Sequence, residues 1–129
     1  IDNDTLLVGH SLGEIAALVT AKCLSLGDAI RLTKSRGRIM QASCPEGEGA
    51  MWVVFQGADT LRDYLDEFEA EHDVKISAKD ESPETICNIA AINQAKQTVL
   101  SGNKQFLSKI VNYLKKKKKV RSVSLRVSA

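Results

Sequence analysis

The chemistry in this chain starts at Gly9-His10-Ser11-Leu12-Gly13, a serine with glycines two residues before and two after. The spacing is that of a nucleophile elbow, which needs an apolar strand on one side and a helix on the other. Thr5-Leu6-Leu7-Val8-Gly9 supplies the expected buried strand, and Ile15, Ala16, Leu18 and Val19 supply the helix, ending near Ala21. Such a turn holds the serine hydroxyl out from the backbone, and glycines are expected at both positions because a Cβ there would collide with neighbouring chain. The first N–H of the helix, on Leu12, then becomes an oxyanion donor reinforced by the positive helix end. The chemistry implied is nucleophilic attack by Ser11 on an acyl carbon.

A serine nucleophile needs a base, and the chain holds only His10 and His72. His10 adjoins Ser11, so its side chain is directed off the serine's face of the turn, which gives it a packing or supporting role beside a bound substrate. His72 ends an acidic stretch and reads as a surface histidine. The general base is therefore expected outside these 129 residues. Two further features make the chain read as a fragment: it has no initiator methionine, and it stops directly after an apolar run.

Positioning Ser11 takes elements on both sides of it. A loop with Ser25 and Gly27 leads to a second helix with Ala29, Ile30, Leu32, Ile39 and Met40 on its apolar stripe, closed by Pro45. From Gly49 the pattern changes to strand (Ala50 to Phe55), helix (Leu61, Leu65, Phe68), a short extended stretch (Val74 to Ile76) and strand (Thr85 to Ala90). A turn around Asn93 follows, then strand (Gln97 to Ser101), amphipathic helix (Phe106 to Leu114) and strand (Val120 to Leu125). This β-α-β-β-α-β order over 49–125 is the split ferredoxin-like arrangement.

Composition narrows the class. Hydrophobic residues make up 43% and charged residues 26%, as in a globular fold. No apolar run approaches the roughly eighteen residues of a membrane span. Cys23, Cys44 and Cys87 form no metal-binding or disulfide spacing, which points to a reducing compartment and no metal. The net charge of +2 hides an asymmetry: residues 101–129 hold nine Lys or Arg and no acid, whereas residues 46–84 are strongly acidic.

The elbow, its helix and Lys34-Ser35-Arg36-Gly37-Arg38-Ile39-Met40-Gln41 together resemble malonyl-CoA:acyl carrier protein transacylases and the acyltransferase domains of fatty acid and polyketide synthases. The likeness continues through Gly49-Ala50-Met51, Cys87 to Asn93 and Val99 to Gly102, and ends at Val127-Ser128-Ala129. It implies an α/β fold: part of an α/β hydrolase-like acyltransferase subdomain at 1–45, a ferredoxin-like α+β subdomain at 46–125, and a return into the catalytic subdomain at 126–129. The implied activity is transfer of malonyl from malonyl-CoA to the phosphopantetheine thiol of acyl carrier protein through a seryl acyl-enzyme, in fatty acid biosynthesis.

By the same resemblance, Arg36 grips the malonyl carboxylate, Met40 lines the pocket and Asn93 lies near its mouth. A guanidinium suits that task because its planar fork meets a carboxylate in two parallel bonds. The family's catalytic histidine and its glutamine-bearing first loop would fall beyond Ala129 and before Ile1. The turn departs from the family's Asn-x-Pro-Gly-Gln, reading Asn93-Gln94-Ala95-Lys96-Gln97. Lys115, Lys116, Lys117, Lys118 and Lys119, with Lys104, Lys109, Arg121 and Arg126 around them, are expected to dock the acidic carrier. The enzyme is expected to be a monomer without cofactor, nucleic-acid partner or membrane. The Gly49 and Asn93 segments favour a stand-alone enzyme, and the lysine run a mitochondrial matrix location, with the cytoplasm as the alternative. A serine esterase and a non-catalytic binding module are the competing readings; Arg36 speaks against the esterase, being a poor liner for a neutral acyl pocket.

Overall fold

A computed structural model describes residues 4–43, 47–78 and 82–125. The chain divides into two compact units, Ile1–Ser43 and Cys44–Ala129. Pro45, Cys44 and the return segment 126–129, with Arg126, lie outside the described residues.

The first unit is a helix pair, α1 (Leu12–Thr20) and α2 (Leu26–Ser43). Ser25 starts α2: its hydroxyl accepts from the Asp28 N–H at 3.1 Å and donates to the Asp28 carboxylate at 2.6 Å. That bond and the Arg31 guanidinium hold the Asp28 carboxyl below its usual range. The expected strand before the elbow is absent. Residues 5–10 carry no regular element, and Leu6 and Val8 are exposed. A strand requires a ladder partner, and every described strand that pairs lies between Gly49 and Leu125. The apolar stripe expected on α2 is likewise uncovered apart from Ala29: Ile30, Leu32, Ile39 and Met40 are all exposed.

The second unit runs β1 (Gly49–Val54), α3 (Ala58–His72), a 3₁₀ turn (Pro83–Thr85), β2 (Cys87–Gln94), β3 (Gln97–Asn103), α4 (Lys104–Lys117) and β4 (Ser122–Leu125). The strands form one antiparallel sheet in the order β2-β3-β1-β4. This is the split β-α-β-β-α-β arrangement read from the sequence. Trp52, Leu100 and Ile89 sit in one row across β1, β3 and β2, and all three join the core. Leu61 and Phe68 of α3 and Leu107, Ile110 and Leu114 of α4 complete it. The Asn103 side chain caps α4, accepting from the N–H groups of Gln105 and Phe106 at 3.0 and 3.1 Å.

Several boundaries differ from the sequence reading, among them β1, which ends at Val54 and not at Phe55, and β3, which runs on to Asn103. Thr85 ends the 3₁₀ turn that Pro83 opens, so β2 begins later, at Cys87. The hairpin turn is Ala95-Lys96, not Asn93, because Gln94 pairs with Gln97. With neither proline nor glycine there to end the ladder, pairing runs on, and Asn93 is absorbed as the extra residue of a bulge between Ile92 and Gln94. Val120 lies in the turn that closes α4 and not in β4. Lys119 adopts φ 58°, and the Val120 N–H turns back to the Leu114 carbonyl at 3.1 Å.

Candidate active site

Ser11 caps α1 with φ 53° and ψ −116°, a backbone region that costs a non-glycine residue roughly 1–3 kcal/mol. Strain of this kind is the mark of an elbow. Two bonds fasten the turn to the helix: Gly13 N–H to the His10 carbonyl at 2.9 Å and Glu14 N–H to the Ser11 carbonyl at 3.1 Å. Gly9 is required, since a Cβ there would sit 2.2 Å from the Gly13 carbonyl carbon. The same expectation fails at Gly13, where a Cβ would meet nothing within 4 Å, because that face of α1 opens outward. The N–H of Leu12, first residue of α1, has no acceptor inside the helix and stays available to a developing oxyanion.

Arg36 comes back to the elbow. Its Nη2 donates to Ser11 Oγ at 3.2 Å, and both side chains are exposed. A helix, a turn and ten residues of α2 thus bring together the two groups the sequence singled out, a nucleophile and a fixed cation. Met40 lies one turn beyond Arg36 on the same face of α2, half exposed. His10 is exposed, and among the described residues its imidazole makes no hydrogen bond to Ser11. An apolar groove lined by Leu12, Ile15, Val19, Leu26 and Ile30 runs between α1 and α2.

The remaining candidates belong to the second unit. Asn93 is exposed on β2. His72 is also exposed; its ring stacks on Phe68 at 4.3 Å, and its Nδ1 lies 3.0 Å from the Phe68 carbonyl. The lysine run is less free than its sequence suggests. Lys118 pairs with Glu67 and lies over the Tyr64 ring at 4.8 Å, and Lys117 reaches Glu71 at 3.4 Å. Glu71 also accepts from the Tyr113 hydroxyl at 3.1 Å. No acid stands near the run in sequence, but α3 brings its carboxylates to the end of α4, so that among the described residues Lys115, Lys116 and Lys119 are the cations of the run without an ion pair. Sequence reasoning missed these pairs because the partners lie far apart in the chain and meet only through the packing of α3 on α4.

Cys87 is buried, and burial pushes its thiol up to about 12, which makes it inert. Among the described residues, no group of three or more His, Cys, Asp and Glu side chains could hold a metal ion.

Residues 2–129 match the family described as acyl transferase domain. Orsellinic acid synthase of Emericella nidulans is 33% identical over 123 residues, 95% of this chain and 5% of that protein. The malonyl CoA-acyl carrier protein transacylase of Staphylococcus aureus (strain MRSA252) is 36% identical over 109 residues, 84% of this chain and 32% of that protein. Among solved structures, a malonyl-transacylase in complex with its type II polyketide synthase acyl-carrier protein superposes with a TM-score of 0.74 at 30% identity. That match covers 94% of this chain and 35% of the other. The chain therefore spans about a third or less of the length of these relatives.

Proposed function

Because the chain belongs to the acyl transferase domain family, we propose that the polypeptide containing it is a malonyltransferase working through an ester on Ser11. The observation that carries this reading is the charge-assisted bond from Arg36 to Ser11 Oγ at a strained elbow. Ser11 Oγ attacks the thioester carbon of malonyl-CoA, and its proton passes to a base contributed from outside these 129 residues. The carbonyl oxygen becomes an oxyanion facing the Leu12 N–H. Collapse breaks the C–S bond, and coenzyme A leaves as the thiol once it is protonated. The phosphopantetheine thiol of acyl carrier protein then attacks the seryl ester, forming a new thioester and returning the proton to Ser11.

Arg36 selects the acyl group. A malonyl carboxylate satisfies the guanidinium, whereas an acetyl group does not, a difference of roughly 1–3 kcal/mol. The esterase alternative lacks a use for that cation. The likeness to synthase proteins favours a second setting for the same chemistry, an acyltransferase domain within a larger synthase, and the mass of the native polypeptide separates the two settings. For the carrier, Lys115, Lys116 and Lys119 offer the docking charge, with Lys117 and Lys118 partly spent on Glu71 and Glu67.

The test compares acyl donors. The parent protein should transfer malonyl from malonyl-CoA, and an Arg36→Ala variant should lose about 10²-fold in kcat/KM while gaining relative acceptance of acetyl-CoA. Selectivity unchanged in that variant would refute the assignment.

A further inference from the structure

We infer that Arg36 caps the nucleophile when the site is empty, and that the carboxylate of the acyl group lifts the cap. This rests on the malonyltransferase reading and adds a second action of Arg36: besides holding the substrate, it governs when Ser11 is free to attack. The guanidinium donates directly to Ser11 Oγ at 3.2 Å. A donor at that distance occupies one lone pair of the nucleophilic oxygen and holds a bulky planar group against it. Among the described residues, Arg36 has no carboxylate partner, although Arg31, one turn and a half earlier on the same helix, does, in Asp28 at 2.5 Å. The cation nearest the nucleophile thus has the serine oxygen as its acceptor.

An ionised carboxylate is a stronger acceptor for a guanidinium than a neutral hydroxyl and can take two of its donors in parallel. A malonyl group entering the site therefore outcompetes Ser11 Oγ for Arg36, and the oxygen is released as the thioester carbon arrives. A neutral acyl group brings no such acceptor and meets a capped serine. Selection for a carboxylated acyl group then acts on the availability of the nucleophile as well as on binding. The two competitors are linked: whatever Ser11 gains from the bond is subtracted from the affinity of Arg36 for a carboxylate.

A neutral alkyl fluorophosphonate tests the cap without calling on malonyl recognition. Ser11 Oγ forms a bond to phosphorus, the P–F bond breaks, fluoride leaves, and the serine proton passes to the base or to solvent. The labelling rate is followed by intact mass in the full-length protein, in wild type, Arg36→Ala and Arg36→Met, the last keeping an apolar stem should the first fold poorly. The cap predicts labelling about threefold to tenfold faster in both variants, the worth of one exposed charge-assisted bond. An unchanged rate would overturn it, and a slower one would mean that the guanidinium assists ionisation of Ser11 instead. In a second arm, malonate ion is titrated by calorimetry into Ser11→Ala, where the cap predicts binding several-fold tighter than wild type; equal or weaker binding would overturn it. If no variant is labelled at Ser11 at all, the malonyltransferase reading itself falls, an outcome distinct from either result above.

Discussion

Replacing Gly9 with alanine should break the elbow, while the same change at Gly13 should leave it intact. At Gly9 the new Cβ would lie 2.2 Å from both the carbonyl carbon and oxygen of Gly13 and 2.4 Å from the Glu14 nitrogen. Ordinary contact for such a carbon begins at 3.4 Å, so the start of α1 must recede by roughly 1 Å. All three atoms are backbone, with no flexible side chain to swing away. The bonds at risk are Gly13 N–H to His10 at 2.9 Å and Glu14 N–H to Ser11 at 3.1 Å, worth about 1 kcal/mol each. Local stability should therefore fall by about 2 kcal/mol, and a nucleophile displaced by roughly 1 Å should lose about 10²-fold in kcat. At Gly13 nothing stands within 4 Å of the new Cβ, and alanine is the better helix former by about 1 kcal/mol. Steady-state malonyl transfer by the parent protein measures the first effect, and hydrogen exchange of the α1 amides measures the second. Equal activity in the two variants would refute the argument that close packing of Gly9 on the first turn of α1 holds Ser11 in place.

Other consequences are as specific. A thiol reagent at pH 8 should modify exposed Cys23 readily and buried Cys87 at least about 100-fold more slowly, since a thiol raised to about 12 stays protonated there; peptide mapping by mass checks it, and similar rates would contradict the burial. Replacing Lys115, Lys116 and Lys119 with glutamate should raise the KM for carrier protein several-fold at low salt, with little change for malonyl-CoA, and the effect should fade as salt approaches about 0.5 M. Reversing Lys117 and Lys118 instead should chiefly lower stability by setting like charges against Glu71 and Glu67, read as a lower Tm.

What the sequence revealed depended on how local the cause was. The elbow was legible because its requirement is written within five residues, and the second unit because its alternation and helical spacing report a core that the unit contains within itself. The strand expected at Thr5–Gly9 does not form: an apolar run signals burial, but a strand also needs a neighbour, and Leu6 and Val8 find none among the described elements. The polar stretch between the two apolar runs suggests a turn around Asn93, whereas the pairing of Gln94 with Gln97 decides the hairpin. The loss of free charge from the lysine run was invisible for a different reason. Glu67 and Glu71 lie on α3, and only its packing beside α4 brings them to Lys118 and Lys117. Arg36 was found through its chemistry and its resemblance, but its direct bond to Ser11 Oγ is a fact of three dimensions.

The central claim is that Ser11 carries the acyl group between donor and acceptor. Mixing the parent protein with malonyl-CoA in the absence of carrier, quenching in acid and mapping the peptides by mass tests it most directly. The account predicts one malonyl group, on the peptide holding Gly9 to Gly13 and bonded at Ser11. It should disappear in Ser11→Ala and be discharged when carrier protein with a free phosphopantetheine thiol is added. Malonyl transfer that proceeds in Ser11→Ala, or an adduct on any other residue that discharges to the carrier, would contradict it.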